Sequence, residues 1–170
     1  MEFLFTPWRL AYLTGETGQP VDGCLFCGLH RLADAEALII HRGAAVYAVV
    51  NRFPYSTGHL MVVPYAHRRN LSEMSLEERR ELLDLAALAE RALTDEYRPH
   101  GLNVGLNVGR SAGAGIPGHA HLHVVPRWDG DTNFITVIAG VRTLPEDLAV
   151  THERLARGFA RAIARPEGSA

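Results

Sequence analysis

The chain has 170 residues, 47% apolar and 21% charged, a balance that belongs to a folded globular protein rather than a disordered or fibrous one. Its formal net charge of -2 provides no global basic field, which argues against a nucleic-acid polymer as partner. All 17 positive residues are arginine, so P-loop lysine chemistry and lysine-based covalent catalysis are both excluded.

The N-terminal stretch has Glu2 where a secretory leader would carry basic residues, and no later run approaches about 18 apolar residues. No membrane partner is expected, and the cytoplasm is the expected location. Cys24 and Cys27 then form a C-x-x-C pair, the only cysteines of the chain. In a reducing compartment such a pair reads as metal-binding or redox-active, and no thioredoxin-like unit surrounds it. Zinc takes four ligands, so two more must come from elsewhere.

Apolar runs bounded by Gly, Pro or Asn predict strands at 37–42, 44–51, 58–64, 103–109 and 120–126. Arg42-Gly43 reads as a tight hairpin connection, and the absence of a helix between the first three strands makes the sheet mostly antiparallel. Ser75 followed by Glu78 forms a capping box that opens a helix with Leu82, Leu85, Ala86, Ala89 and Leu93 on one face. A second helix is predicted from near Pro145 to about Arg165, with Leu148, Leu155, Phe159 and Ile163 on a shared stripe. No linker divides the chain, so residues 1–170 are expected to form one domain. Gly101 to Gly109 is a strand with glycines inside it, which often marks the close approach of a ligand.

His119, His121 and His123 alternate in a segment with strand character, so their imidazoles are predicted to share one face. A neutral imidazole has a free nitrogen lone pair at pH 7, which suits nucleophilic attack. His59 shares a strand with Val62 and Val63 and reads as a buried structural residue.

The segment Gly118-His119-Ala120-His121-Leu122-His123-Val124-Val125-Pro126-Arg127 resembles the signature of the histidine triad family of nucleotidyl hydrolases and transferases. The likeness extends through the 51–64 stretch from Asn51 to Pro64 and through the Asn107 to Gly113 loop, and it covers most of residues 22–140. The stretch from Pro7 through Trp8 and Arg9 to Tyr12 and the stretch from Trp128 to Ile135 are similar to the bacterial branch that includes diadenosine tetraphosphate phosphorylases.

The resemblance implies an α+β fold, with an antiparallel sheet of about five strands covered by a long helix and a C-terminal helix. It implies a homodimer whose sheets join. The implied reaction transfers a nucleotidyl group from an adenine dinucleotide or mononucleotide to inorganic phosphate or water. His121 is then the nucleophile, His123 contacts the phosphate and His119 helps to orient the nucleophile. Asn51 is implied at the ribose and Asn107 at the phosphate or sugar. Amides around Gly109, Arg110, Ser111 and Gly113 are suited to cradle phosphates.

Some relatives hold a structural zinc, and the matching positions here are Cys24, Cys27, His67 and His119, with His30 as the competing ligand. Between Ala114 and Gly118 this chain carries one more residue than the common pattern and lacks its polar group for the scissile oxygen; Ser111 is the remaining candidate. A nucleoside phosphoramidate hydrolase is an alternative reading, as is a non-catalytic nucleotide-binding module. A sugar-phosphate nucleotidylyltransferase is disfavoured by the retained His123.

Overall fold

A computed structural model describes residues 23–131 and 146–165. The Pro7 to Tyr12 stretch, residues 132–135 and the predicted helix start near Pro145 lie outside the described residues. Among the described residues two short helices come first, α1 (Leu25–Leu29) and α2 (Asp34–Ala37). Five strands follow: β1 (Ile39–Arg42), β2 (Val46–Val50), β3 (Leu60–Pro64), β4 (Gly101–Leu106) and β5 (Leu122–Arg127). They pair antiparallel in the order β1-β2-β3-β5-β4. Two long helices complete the α+β architecture, α3 (Leu76–Tyr97) and α4 (Leu148–Ala164).

The capping box is formed. The Ser75 hydroxyl accepts the Glu78 amide at 3.1 Å, and the Glu78 carboxylate accepts the Ser75 amide at 2.6 Å. The first hairpin is looser than Arg42-Gly43 predicts. Glu81 on α3 accepts the amides of Ala44 and Ala45 at 2.5 and 2.6 Å, which keeps both N–H groups from pairing with β1, and β2 begins at Val46. Ala37 belongs to α2 rather than to β1, because Leu38 adopts a left-handed conformation with φ 59° that ends the short helix.

β2 and β3 are buried on both faces. Val46, Ala48, Val50, Leu60, Val62, Leu122 and Val124 pack with the apolar stripes of α3 and α4. Tyr47, Val49, Met61 and Val63 point the other way and are covered by Phe26, Ala37 and Ile39. The buried stripe of α4 is Thr151, Leu155, Gly158, Phe159 and Ala162, whereas Ile163 is 53% exposed. A Cβ on Gly158 would stand 2.9 Å from Glu96 Cγ, so the helices approach closely along that line and Ile163 is turned outward.

Candidate active site

Strand alternation in β5 places Leu122 and Val124 in the helix-side core and His123 on the opposite face, where its Cα pairs with that of Met61. The strand begins at Leu122 rather than at Ala120, because the Ala120 amide donates to the Arg68 carbonyl at 2.5 Å instead of joining the ladder. This departure divides the triad. His121 and His123 remain neighbours, with ring centroids 4.9 Å apart, while His119 turns toward His67 and Phe26 at 5.1 and 5.4 Å.

Each triad imidazole has a partner that assigns its proton. His121 Nδ1–H donates to the His119 carbonyl at 2.8 Å, which leaves the Nε2 lone pair for chemistry. His119 Nε2–H donates to the Pro64 carbonyl at 2.9 Å, so its Nδ1 lone pair faces the cysteines. The third assignment runs through His59. The Tyr55 amide donates to His59 Nδ1 at 3.0 Å, so the neutral His59 carries its proton on Nε2. That proton points at His123 Nδ1, 2.9 Å away, and His123 therefore carries its own on Nε2.

Burial sets the charge state. His121 is 4% exposed, and desolvation lowers its pKa below the usual histidine range. Desolvation, with a smaller contribution from His121, pushes His123 down to about 4. Two neutral imidazoles thus stand side by side at pH 7, one offering a lone pair and the other an N–H.

Cys24 Sγ lies 3.3 Å from His119 Nδ1, Cys27 Sγ 3.5 Å from the same atom and 3.3 Å from His67 Nδ1. All four ligand atoms fall within 4.8 Å of one another. A tetrahedron with ordinary zinc–sulfur and zinc–nitrogen bonds has S···N edges of about 3.5 Å, so this donor set fits a tetrahedral metal. His30 stands outside the group, with its ring against Tyr65 at 5.2 Å. Arg42 clips the segment to the sheet, donating to Asp34 at 2.7 Å, the His30 carbonyl at 2.7 Å and the Leu32 carbonyl at 3.0 Å.

Asn51 follows β2 beside His59: its Oδ1 accepts the Phe53 amide at 2.9 Å and its Nδ2 lies 3.3 Å from His59 Nδ1. Asn107 follows β4, with its Nδ2 3.9 Å from the position of a Cβ on Gly113. Gly109 and Gly113 adopt φ values of 82° and 88°, which favour glycine, and they bracket a single 3-10 turn of Arg110, Ser111 and Ala112. The Gly113 amide donates to the Arg110 carbonyl at 2.9 Å, so within this loop Gly113 supplies shape rather than an outward donor.

Sequence reasoning placed His59 in the core, and it is fully buried, but its contact with His123 was not legible. The signal lies in the register that sets Leu60 against Val124, which the sequence alone does not display. Phe26 and Tyr55 were missed for the same reason: their rings flank His121 at 4.9 Å and His59 at 4.7 Å.

Comparison with known proteins gives consistent likenesses. A model of the HIT domain matches residues 33–130. An AP-4-A phosphorylase of Mycobacterium tuberculosis is 42% identical over 169 residues, covering 95% of this chain and 86% of that protein. A bis(5'-adenosyl)-triphosphatase of Saccharomyces cerevisiae is 30% identical over 53% of this chain and 44% of its own length. Among solved structures, a zinc-bound histidine triad family protein from Mycobacterium smegmatis superposes with a TM-score of 0.68. It is 26% identical and covers 83% of this chain and 96% of its own.

Proposed function

For a chain that belongs to the HIT domain family, we propose cleavage of dinucleoside polyphosphates of the diadenosine tetraphosphate type at the α phosphorus, with inorganic phosphate as the favoured acceptor. The observation that carries this reading is the buried, neutral His121 whose Nδ1–H is committed to the His119 carbonyl. Its Nε2 lone pair forms the N–P bond as the bond from phosphorus to the departing polyphosphate oxygen breaks, and the electron pair leaves with that oxygen. In the second step the acceptor oxygen bonds to phosphorus, the N–P bond breaks and its electron pair returns to Nε2. His123 presents its Nε2–H to the phosphate oxygens during both steps. The identity to the mycobacterial AP-4-A phosphorylase over nearly the whole chain supports phosphate over water as acceptor.

In this reading Asn51 holds the ribose. Asn107 and the loop of Gly109, Arg110 and Ser111 take the phosphates, with Gly113 closing the turn. Zinc is the proposed metal, held by Cys24, Cys27, His67 and His119, and it supplies a structural cross-link between the cysteine segment and the catalytic strand. A cysteine pair that faces imidazole nitrogens, as metal ligands do, suits a reducing compartment, which supports the cytoplasm. The proposed homodimer joins two sheets through β4, an edge strand whose Val104 is 50% exposed; sedimentation at the monomer mass would refute it.

The test is product analysis with diadenosine tetraphosphate, with and without inorganic phosphate. ADP and ATP released only when phosphate is present is the expected result. AMP and ATP without phosphate would make water the acceptor, and no cleavage would overturn the substrate assignment.

A further inference from the structure

We propose that Phe26 is a positioning residue for His121, and that through it the Cys24–Cys27 turn holds the nucleophile's ring in its reactive orientation; this rests on the reading of His121 as nucleophile. Phe26 lies between the two cysteines and is 1% exposed. Its ring packs on His121 with centroids 4.9 Å apart at 41°, and on His119 at 5.4 Å. His123 meets the His121 ring at 4.9 Å and 76°. One hydrogen bond, from Nδ1 to the His119 carbonyl, leaves an imidazole free to swing about that contact. Two neighbouring rings remove the swing and keep Nε2 aimed at the substrate.

The rest of the turn holds Phe26 itself. Its carbonyl accepts the Tyr47 hydroxyl at 3.0 Å, and Tyr47 is fully buried. Desolvation raises the Tyr47 pKa far above its usual range, so the hydroxyl stays a donor. α1 has only five residues and no side-chain cap at Cys24, so local propensity contributes little to its stability. Tertiary contacts must supply the rest: Tyr47 at the carbonyl and the two thiols at His119 and His67 on either side of the ring. Disturbing the cysteine cluster therefore moves a side chain in contact with the nucleophile.

The experiment compares wild type with Phe26→Leu, which keeps apolar bulk but loses the flat face. Four quantities are read: metal content, Tm, kcat and KM for diadenosine tetraphosphate with phosphate, and the ¹⁵N ring spectrum of His121 at pH 8. Expected is retained metal, KM within about twofold and kcat lower by about 10- to 100-fold, the range that small displacements of a reacting group produce. The His121 spectrum is expected to change from one Nδ1–H tautomer to a mixture. A kcat within about twofold of wild type, a KM rise equal to the kcat loss, or an unchanged single tautomer would overturn the proposal. Phe26→Met is read in the same way where Phe26→Leu loses its metal or its fold. If the wild type does not cleave the dinucleotide, the substrate reading fails, and the ring spectrum alone decides the positioning role.

Discussion

His59 Nε2 lies 2.9 Å from His123 Nδ1, and because the Tyr55 amide occupies the other nitrogen of His59, the proton between the two rings belongs to His59. A residue with no place in the triad thus sets which face of the third triad imidazole carries hydrogen. Loss of that donor allows His123 to hold its proton on Nδ1, where it cannot serve the phosphate. His59→Phe is expected to lower kcat by about 10²-fold, and His59→Gln, which retains a donor, to recover part of the loss. Steady-state kinetics of both variants decide it; wild-type kcat in His59→Phe would remove His59 from the proton arrangement.

His121→Ala is expected to abolish turnover while nucleotide binding persists, because the proposed ribose contact at Asn51 and the proposed phosphate loop from Asn107 to Ser111 lie on other elements. Calorimetric titration with a nucleotide product, beside a turnover assay, separates the two effects. Residual turnover within about tenfold of wild type would reassign the nucleophile.

About one zinc per chain is expected from elemental analysis of purified protein. Cys27→Ser removes a donor that faces both His67 and His119, so it is expected to lower metal content and to reduce Tm by at least about 5 °C. A metal-free protein with wild-type Tm would remove the metal from the structural account.

Burial pushes the folded-state pKa of His123 down to about 4, from an ordinary histidine value of 6.5. Between those values the unfolded chain binds a proton that the folded chain does not, so stability is full above about pH 6.5 and declines as pH falls toward 4. The urea midpoint of wild type is expected to fall between pH 7.5 and pH 5, and that of His123→Asn to fall less. Equal declines in the two proteins would place the titration on other groups.

The parts of this architecture that were legible in the sequence are those decided by neighbours along the chain. The Ser75–Glu78 capping box spans three residues, and the apolar stripe of α3 repeats with the helical turn, so both follow from local geometry. The alternation of Leu122, His123 and Val124 likewise follows from strand geometry. Loop lengths were less legible, because Glu81 reaches from α3 to take the amides of Ala44 and Ala45.

By itself, then, the sequence determined the α+β class, the capping of α3, the C-x-x-C pair and a candidate nucleophile among closely spaced histidines. The resemblance already implied His119 beside the cysteines; only the tertiary structure decided that it thereby parts from His121 and His123, since that division depends on Ala120 bonding to Arg68 instead of continuing the strand. It also chose between the two histidines that the sequence left in competition, bringing His67 to the cysteines and turning His30 onto Tyr65, although His30 lies nearer the cysteines in sequence. Cys24 meets His119 across 95 residues, and His59 meets His123 across 64. Contacts over such separations depend on strand order and register, which emerge only when the whole sheet packs against its helices.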